Sequence, residues 1–164
     1  MPRGRGAIQV NELDPIDKLH AQISGSAATL EVRHEALLQC RSGCSGCCVD
    51  ELTVFDVEAD RIRRDFPEVL REEAGPAGAC AFLDSEGRCR VYAARPYVCR
   101  TQGLPIRWFA GDPVAEYRDI CELNDTGLLT TFEPDECWLI GPTEHALAGL
   151  RRSDERVPLR SLFK

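Results

Sequence analysis

The sequence predicts a mainly α-helical protein with a small β-hairpin and long loops, and three observations carry that expectation. Apolar residues recur at threes and fours in three separate stretches, the signature of helices with one buried face. Two short alternating runs flank Asp84-Ser85-Glu86-Gly87, as the arms of a hairpin do. The stretch Cys40-Arg41-Ser42-Gly43-Cys44-Ser45-Gly46-Cys47-Cys48 then places four sulfurs in nine residues, with two glycines and two serines among them. That is a flexible loop crowded with soft ligands, not a piece of core. Five more cysteines follow at Cys80, Cys89, Cys99, Cys121 and Cys137. The long loops are therefore expected to be organised by metal.

The length of 164 residues suits one domain. The expected division is a flexible tail over residues 1–11, a single cysteine-rich metal-binding domain over 12–156, and a C-terminal tail over 157–164. Six Phe, three Tyr and two Trp make a core poor in large rings. Such a core gains less from burial, and a metal cross-link would compensate. Acidic residues outnumber basic ones by 27 to 20, for a net charge of −7. No continuous basic face arises, so nucleic acid is not an expected partner. Arg61-Ile62-Arg63-Arg64 and Arg151-Arg152 sit among acidic residues and read as solvated helix faces. No apolar run approaches the roughly 20 residues that cross a bilayer, and no apolar segment follows the basic start Met1-Pro2-Arg3-Gly4-Arg5-Gly6. No membrane association is expected, and the expected compartment is the cytoplasm. In that reducing setting, grouped cysteines more often bind metal than form disulfides, and the odd count of nine argues against a closed disulfide framework.

In chain order, Leu13, Ile16, Leu19, His20 and Ile23 give the first helix, with Pro15 suited to its first turn. Gly25 is expected to end it. His20 is read as a surface or half-buried helical histidine. Residues 27–39 divide, because Thr29-Leu30-Glu31-Val32-Arg33 alternates like a strand whereas Glu35-Ala36-Leu37-Leu38-Gln39 favours helix. His34 has no paired spacing and is left out of the site. After the cluster, residues 49–55 read as an extended segment or turn, with Thr53 and Asp56 offering an N-cap and its acidic partner. Val57, Arg61, Ile62 and Phe66 give a second helix whose charged remainder would face water and which Pro67 stops.

Gly75-Pro76-Ala77-Gly78 is a break. A hairpin of Ala79-Cys80-Ala81-Phe82-Leu83 with Arg88-Cys89-Arg90-Val91-Tyr92 would bring Cys80 and Cys89 together. Residues 93–100 read as a helical turn and a tight loop. Gly103, Pro105, Gly111 and Pro113 predict a mostly irregular stretch, with a short helix over 113–119 leading to Cys121. Residues 128–132 have the composition of a strand. Residues 143–152 form the last expected helix, with Ala146, Leu147 and Leu150 inward and Pro142 at its entrance. Residues 157–164 either dock or fray.

Thiolates suit zinc, cuprous copper and iron–sulfur clusters, because soft charge bonds strongly to these ions. Cys44-Ser45-Gly46-Cys47 has the short spacing that turns two sulfurs towards one centre. Adjacent side chains point differently, so Cys47 and Cys48 serve different centres or different edges of one. The candidate ligands are Cys40, Cys44, Cys47, Cys48, Cys80, Cys89, Cys99 and Cys121, and the candidate cofactor is zinc or an iron–sulfur cluster. Eight sulfurs suffice for two four-thiolate centres. A single site with accessory redox cysteines is the other arrangement, and spacing does not divide the ligands between ions. Left without metal, so many thiols in one patch would oxidise readily. Cys137, between Asp135-Glu136 and Trp138-Leu139-Ile140, reads as a partly buried free cysteine. Arg95 and Arg100 are donors able to stabilise thiolate charge or to bind an acidic partner. The structural reading has Arg95 tying its loop to a buried carboxylate or to backbone carbonyls. Tyr92 is read as a packed ring with a hydrogen-bonding tip. Asp50, Glu51 and Asp56 lie near the cluster in sequence, at spacings that do not require them as ligands.

Three pieces also resemble a known pattern: the Cys40–Cys48 block, Cys80-Ala81-Phe82, and Cys89-Arg90-Val91-Tyr92-Ala93-Ala94-Arg95-Pro96-Tyr97-Val98-Cys99-Arg100. In these the chain resembles the cysteine-cluster family of zinc- or iron-chelating proteins, which includes the relatives of flagellin lysine N-methylase. The third block is nearly complete. The first departs by one extra residue between Cys40 and Cys44, and Cys121 looks like the family's later cysteine, with Cys137 as its competitor. The resemblance spans Cys40 to Cys121 and implies metal binding, with an iron–sulfur cluster among the alternatives, without implying one activity.

The leading functional reading is therefore a cytoplasmic zinc- or iron–sulfur-binding protein whose thiolates organise the fold, with room for a protein partner. A cluster-dependent modifying enzyme such as a lysine N-methylase is the second reading, although the chain shows no Gly-rich nucleotide-binding signature. Metal storage, metal delivery or electron transfer is the third. A storage or delivery site would be exposed and exchangeable, whereas a structural site would be saturated and slow to exchange.

Overall fold

The computed structural model describes residues 14–163; the expected tail over residues 1–11 lies outside the described residues. Helix α1 spans Pro15–Arg33, with Pro15 in its first turn and the Asp14 side chain accepting from the Ile16 N–H at 3.2 Å. Its buried face is Ile16, His20, Ile23, Ala27 and Leu30. The expected stop at Gly25 does not occur, and the strand reading of residues 29–33 falls with it. Ala27 and Leu30 continue the buried stripe, and their packing overrides the weak propensity of one glycine. Gly25 is exposed, with nothing within 4 Å of the position a Cβ would take. Gly25→Ala is accordingly expected to raise stability by about 0.5–1 kcal/mol. Thermal unfolding checks this, and a lowered midpoint would contradict an unbroken helix at this point.

Helix α2 spans Asp56–Asp65. It begins at Phe55 rather than at the expected Thr53 cap, and Glu58 Oε2 reaches back to the Phe55 N–H at 3.2 Å. Glu58 also corrects the expectation that the charged remainder of this helix faces water, because it is buried beside Ala59 and Ile62. A one-turn helix α3, Tyr97–Arg100, carries Cys99. Helix α4, Ile140–Leu150, starts before its expected first residue and buries Thr143 and Leu147.

Strand β1 (Thr53–Val54) pairs antiparallel with β5 (Val157–Pro158). The second sheet has the order β3-β2-β4, from Ile106–Ala110 (β2), Ala115–Asp119 (β3) and Trp138–Leu139 (β4). β2 runs antiparallel to β3 and parallel to β4. Two expectations change here, since Ile106–Ala110 form a strand within the stretch expected to be mostly irregular and 113–119 is not a helix. Cross-strand partners decide the matter. Trp108 stacks on Tyr117 with ring centroids 5.8 Å apart, and Arg107 pairs with Glu116 at 3.2 Å. Conversely, the hairpin expected around residues 84–87 is reduced to a single bridge, Leu83 to Cys89. The Asp84 carboxylate accepts from the Glu86 and Arg88 N–H groups and holds that turn. The strand expected over 128–132 is a 3-10 turn, Leu129–Thr131. Among the described residues the architecture is thus mixed α/β, with four α-helices and two small sheets, and not mainly α.

Two cores flank α3. One joins Val54, Ala59, Ile62, Phe82, Val91, Leu159 and Leu162, so the C-terminal segment is docked. The other joins Ile16, Ile23, Leu30, Tyr97, Leu104, Trp138 and Leu147. Among the described residues, no helix is long and apolar enough to cross a membrane.

Candidate metal centre

The placement of the cysteines begins with a polar network buried between the helices. His20 and Glu58 are each 1% exposed, and His20 Nε2 lies 3.1 Å from Glu58 Oε1. Arg61 Nη1 donates to His20 Nδ1. A guanidinium has no acceptor, so Nδ1 carries no proton, and Nε2–H donates to Glu58. This agrees with a His20 pKa held below its ordinary value by burial, against the opposing pull of Glu58. Glu58 Oε1 also accepts the Tyr97 N–H at 2.7 Å. One carboxyl group therefore satisfies orphan donors at the start of α2 and of α3, and α3 presents Cys99. His20 is buried and structural, neither a surface nor a half-buried residue.

The first group of thiols lies against the core that contains Phe82. Cys80 is buried in it, and Cys48 and Cys89 pack on it. The Cys80 N–H donates to the Cys48 carbonyl at 2.8 Å, tying the cysteine loop to the later turn. Burial raises the Cys48 thiol to about 12, with the neighbouring charges of Cys47, Cys80 and Cys89 adding to it. Cys99 is pushed up by burial and then by Cys80, Cys89 and Cys48. These four sulfurs therefore feel one another.

The remaining thiols include the exposed Cys40, while Cys44, Cys47 and Cys121 are half-buried, as are Cys48, Cys89 and Cys99. Cys47 is raised by burial, with Cys121 and Cys44 as its like-charged neighbours. Cys40 joins them through Asn124, whose side chain accepts from the Gln39 N–H at 2.8 Å, donates to the Gly103 carbonyl at 2.8 Å and points at Cys40 Sγ at 3.8 Å. The Asn124 N–H in turn donates to the Cys121 carbonyl at 2.8 Å. Gly103, at φ 95°, leaves the space for this arrangement, since a Cβ there would stand 2.5 Å from Cys40 Sγ.

Guanidinium groups gather around the first group. Arg160 and Arg90 act on Cys80, and Arg95 and Arg90 act on Cys89, each favouring the thiolate. Arg95 Nε and Arg100 Nε are buried without a hydrogen-bond partner. Arg95 stacks on Tyr92 at 3.9 Å, and Tyr92 is exposed at 63%, so neither forms the carboxylate tie or the packed ring expected of it. The backbone tie belongs to Arg100, whose Nη2 donates to the Ala93 carbonyl at 2.9 Å while Nη1 donates to Ser24 Oγ at 2.8 Å.

Asp50 is occupied by Arg160 and by the Gly78 N–H at 2.9 Å, which hold its carboxyl below the usual range. Asp56 accepts the Val57 and Arg152 N–H groups. Cys137 is buried elsewhere, facing Arg118 and Arg107, and His34 bonds to the Glu136 carbonyl at 2.7 Å. Sequence reasoning missed Glu58, Asn124, Gly103 and Arg160. Arg160 Nη1 and Nη2 donate to the carbonyls of Gly75, Pro76 and Ala79 at 2.8, 2.9 and 2.9 Å, clamping the loop before Cys80. Glu58 has a local signal as the N3 acid of α2, but its bonds to His20 and Tyr97, like those of Asn124 and Arg160, cross long stretches of chain.

Among the described residues, no three His, Cys, Asp or Glu side chains converge closely enough as they stand to hold a metal ion. The sulfurs approach in groups without meeting at a point. The donor set still fits a soft metal by its chemistry: the candidate ligands are free thiols, and arginines near Cys80 and Cys89 favour their charged form. Fold and thiols together define a small cysteine-rich domain with the chemistry of a metal chelator. The family model CxxCxxCC, described as a putative zinc- or iron-chelating domain, matches residues 39–122, and the chain belongs to this family. No curated protein and no solved structure matches it.

Proposed function

We propose that this chain is a metal-binding protein whose zinc or iron, held by thiolates, cross-links segments that have little regular structure of their own. One observation carries the reading: Cys48, Cys80 and Cys89, from the 40–48 loop and the 80–89 turn, pack on one hydrophobic core, and Cys40 and Cys121 are linked through Asn124. Between α1 and α3, the regular elements longer than three residues reduce to α2. Metal there supplies folding energy in place of hydrogen-bonded ladders.

Elemental analysis of anaerobically purified protein for zinc, iron and acid-labile sulfide tests the reading. Bound metal is expected, and stripping it with a chelator should destabilise the fold by ~4 kcal/mol or more, lowering the midpoint by roughly 8–16 °C. Zinc without sulfide supports a purely structural role, and iron with sulfide supports a cluster. Protein purified without either metal, and unmoved by the chelator, would refute it.

A further inference from the structure

We infer that the groove between β2 and the start of α4 docks a basic segment of a partner protein, in which a lysine or arginine is flanked by apolar side chains. The groove has a volume of about 510 Å³ and is walled by Ile106, Trp108, Leu139, Ile140 and Pro142. That is room for a few side chains. No cysteine lines it, so the site stands apart from the thiols. One charged residue, Glu144, completes the lining. It follows Ile140 by four residues in α4, so the two share the helix face turned to the groove. Glu144 Oε1 accepts from the Tyr97 hydroxyl, a neutral donor, at 2.6 Å, and no basic side chain among the described residues pairs with it. The arginines of the β2–β3 hairpin are engaged elsewhere. Arg107 and Arg118 both pair with Glu116, at 3.2 and 2.6 Å, and donate to the carbonyls of Pro134 and Phe132 respectively.

Charge selects the occupant. Glu144 is half-buried in an apolar wall without a counter-ion, and a cation bound there is screened less than at an open surface. An acidic ligand would meet repulsion, and a purely apolar one would cover the carboxylate without pairing it. Lysine and arginine satisfy both demands, since their methylene stems suit the apolar wall while the charged head meets Glu144 and the indole of Trp108. The apolar surface also continues past the groove, further than a small amine would cover. Trp108 stacks on exposed Tyr117, and Phe109 and Val114 of the same hairpin are exposed as well. The net charge of −7 favours a basic partner over a second copy of this chain.

The test applies the full chain, as purified, to an array of synthetic nonapeptides. Their centre is lysine, arginine, glutamate or leucine, with every combination of alanine, leucine, phenylalanine and tryptophan on either side. Binding is expected on basic centres with apolar flanks. Anisotropy of the best peptide then gives its affinity, which should fall as salt rises. Glu144→Gln should weaken it by roughly tenfold or more, while its remaining carbonyl oxygen still accepts from Tyr97. Phe109→Ala, at an exposed position, should weaken it several-fold with the thermal midpoint unchanged. By NMR, the Trp108 indole N–H should shift on binding and that of buried Trp138 should not. No binding to basic peptides, equal binding to glutamate-centred ones, or unchanged affinity in Glu144→Gln overturns the proposal. Competition by n-hexylammonium at the peptide's own affinity would assign the groove to a small amine. A dimer in sedimentation that Phe109→Ala abolishes would assign it to a second copy, and either result overturns the peptide as occupant.

Discussion

Glu58→Ala is expected to destabilise the protein by about 3 kcal/mol or more, the cost of leaving several buried donors without an acceptor. The carboxyl group is 1% exposed and serves His20 Nε2, the Phe55 N–H and the Tyr97 N–H at once. Water has no access to replace it. The loss has a second consequence, because the Tyr97 N–H begins the helical turn that carries Cys99. Metal content should fall together with stability. Glu58→Gln retains the volume and one acceptor oxygen, and should recover part of both. Urea unfolding with metal analysis on the same samples checks this. A cost below about 1 kcal/mol would show that the network is not the anchor of α3.

Arg160→Ala is expected to cost about 1.5–3 kcal/mol through loss of charged donors to three backbone carbonyls. The effect should be local as well as global. Residues 75–79 form a loop whose course into Cys80 is held by Arg160, and Asp50, just after Cys48, is its ion-pair partner. Amide exchange should therefore rise across 75–80 and around 50, more than in α1. Unchanged exchange in those segments would remove Arg160 as the clamp, whatever happens to the midpoint. Lysine in place of arginine should rescue poorly, since a single ammonium cannot span three carbonyls as a planar fork does.

Helices α1, α2 and α4 were legible because an amphipathic helix writes its buried stripe locally, at spacings of three and four. Their ends were less so. Gly25 was read as a stop because glycine weakens a helix by about 1 kcal/mol, whereas the burial of Ala27 and Leu30 against other elements outweighs it. The β2–β3 hairpin was missed for the opposite reason. Gly103, Pro105, Gly111 and Pro113 punctuate the stretch, and only the pairing of Trp108 with Tyr117 and of β2 with distant β4 reveals a sheet.

By itself the sequence determined that the chemistry is that of thiols, that the chain belongs to the CxxCxxCC family, and which cysteines stand in short spacing. Spacing and ligand type are properties of the chain, so they survive without a fold. Only the tertiary structure decided that Cys48 packs with Cys80 and Cys89 while Asn124 links Cys40 to Cys121. It also decided that Cys137 lies among arginines, and that Glu58, Asn124 and Arg160 hold the cysteine-bearing segments. The contacts of Glu58 with Tyr97, Asn124 with Cys40 and Arg160 with Gly75 span 39, 84 and 85 positions, which no local pattern encodes.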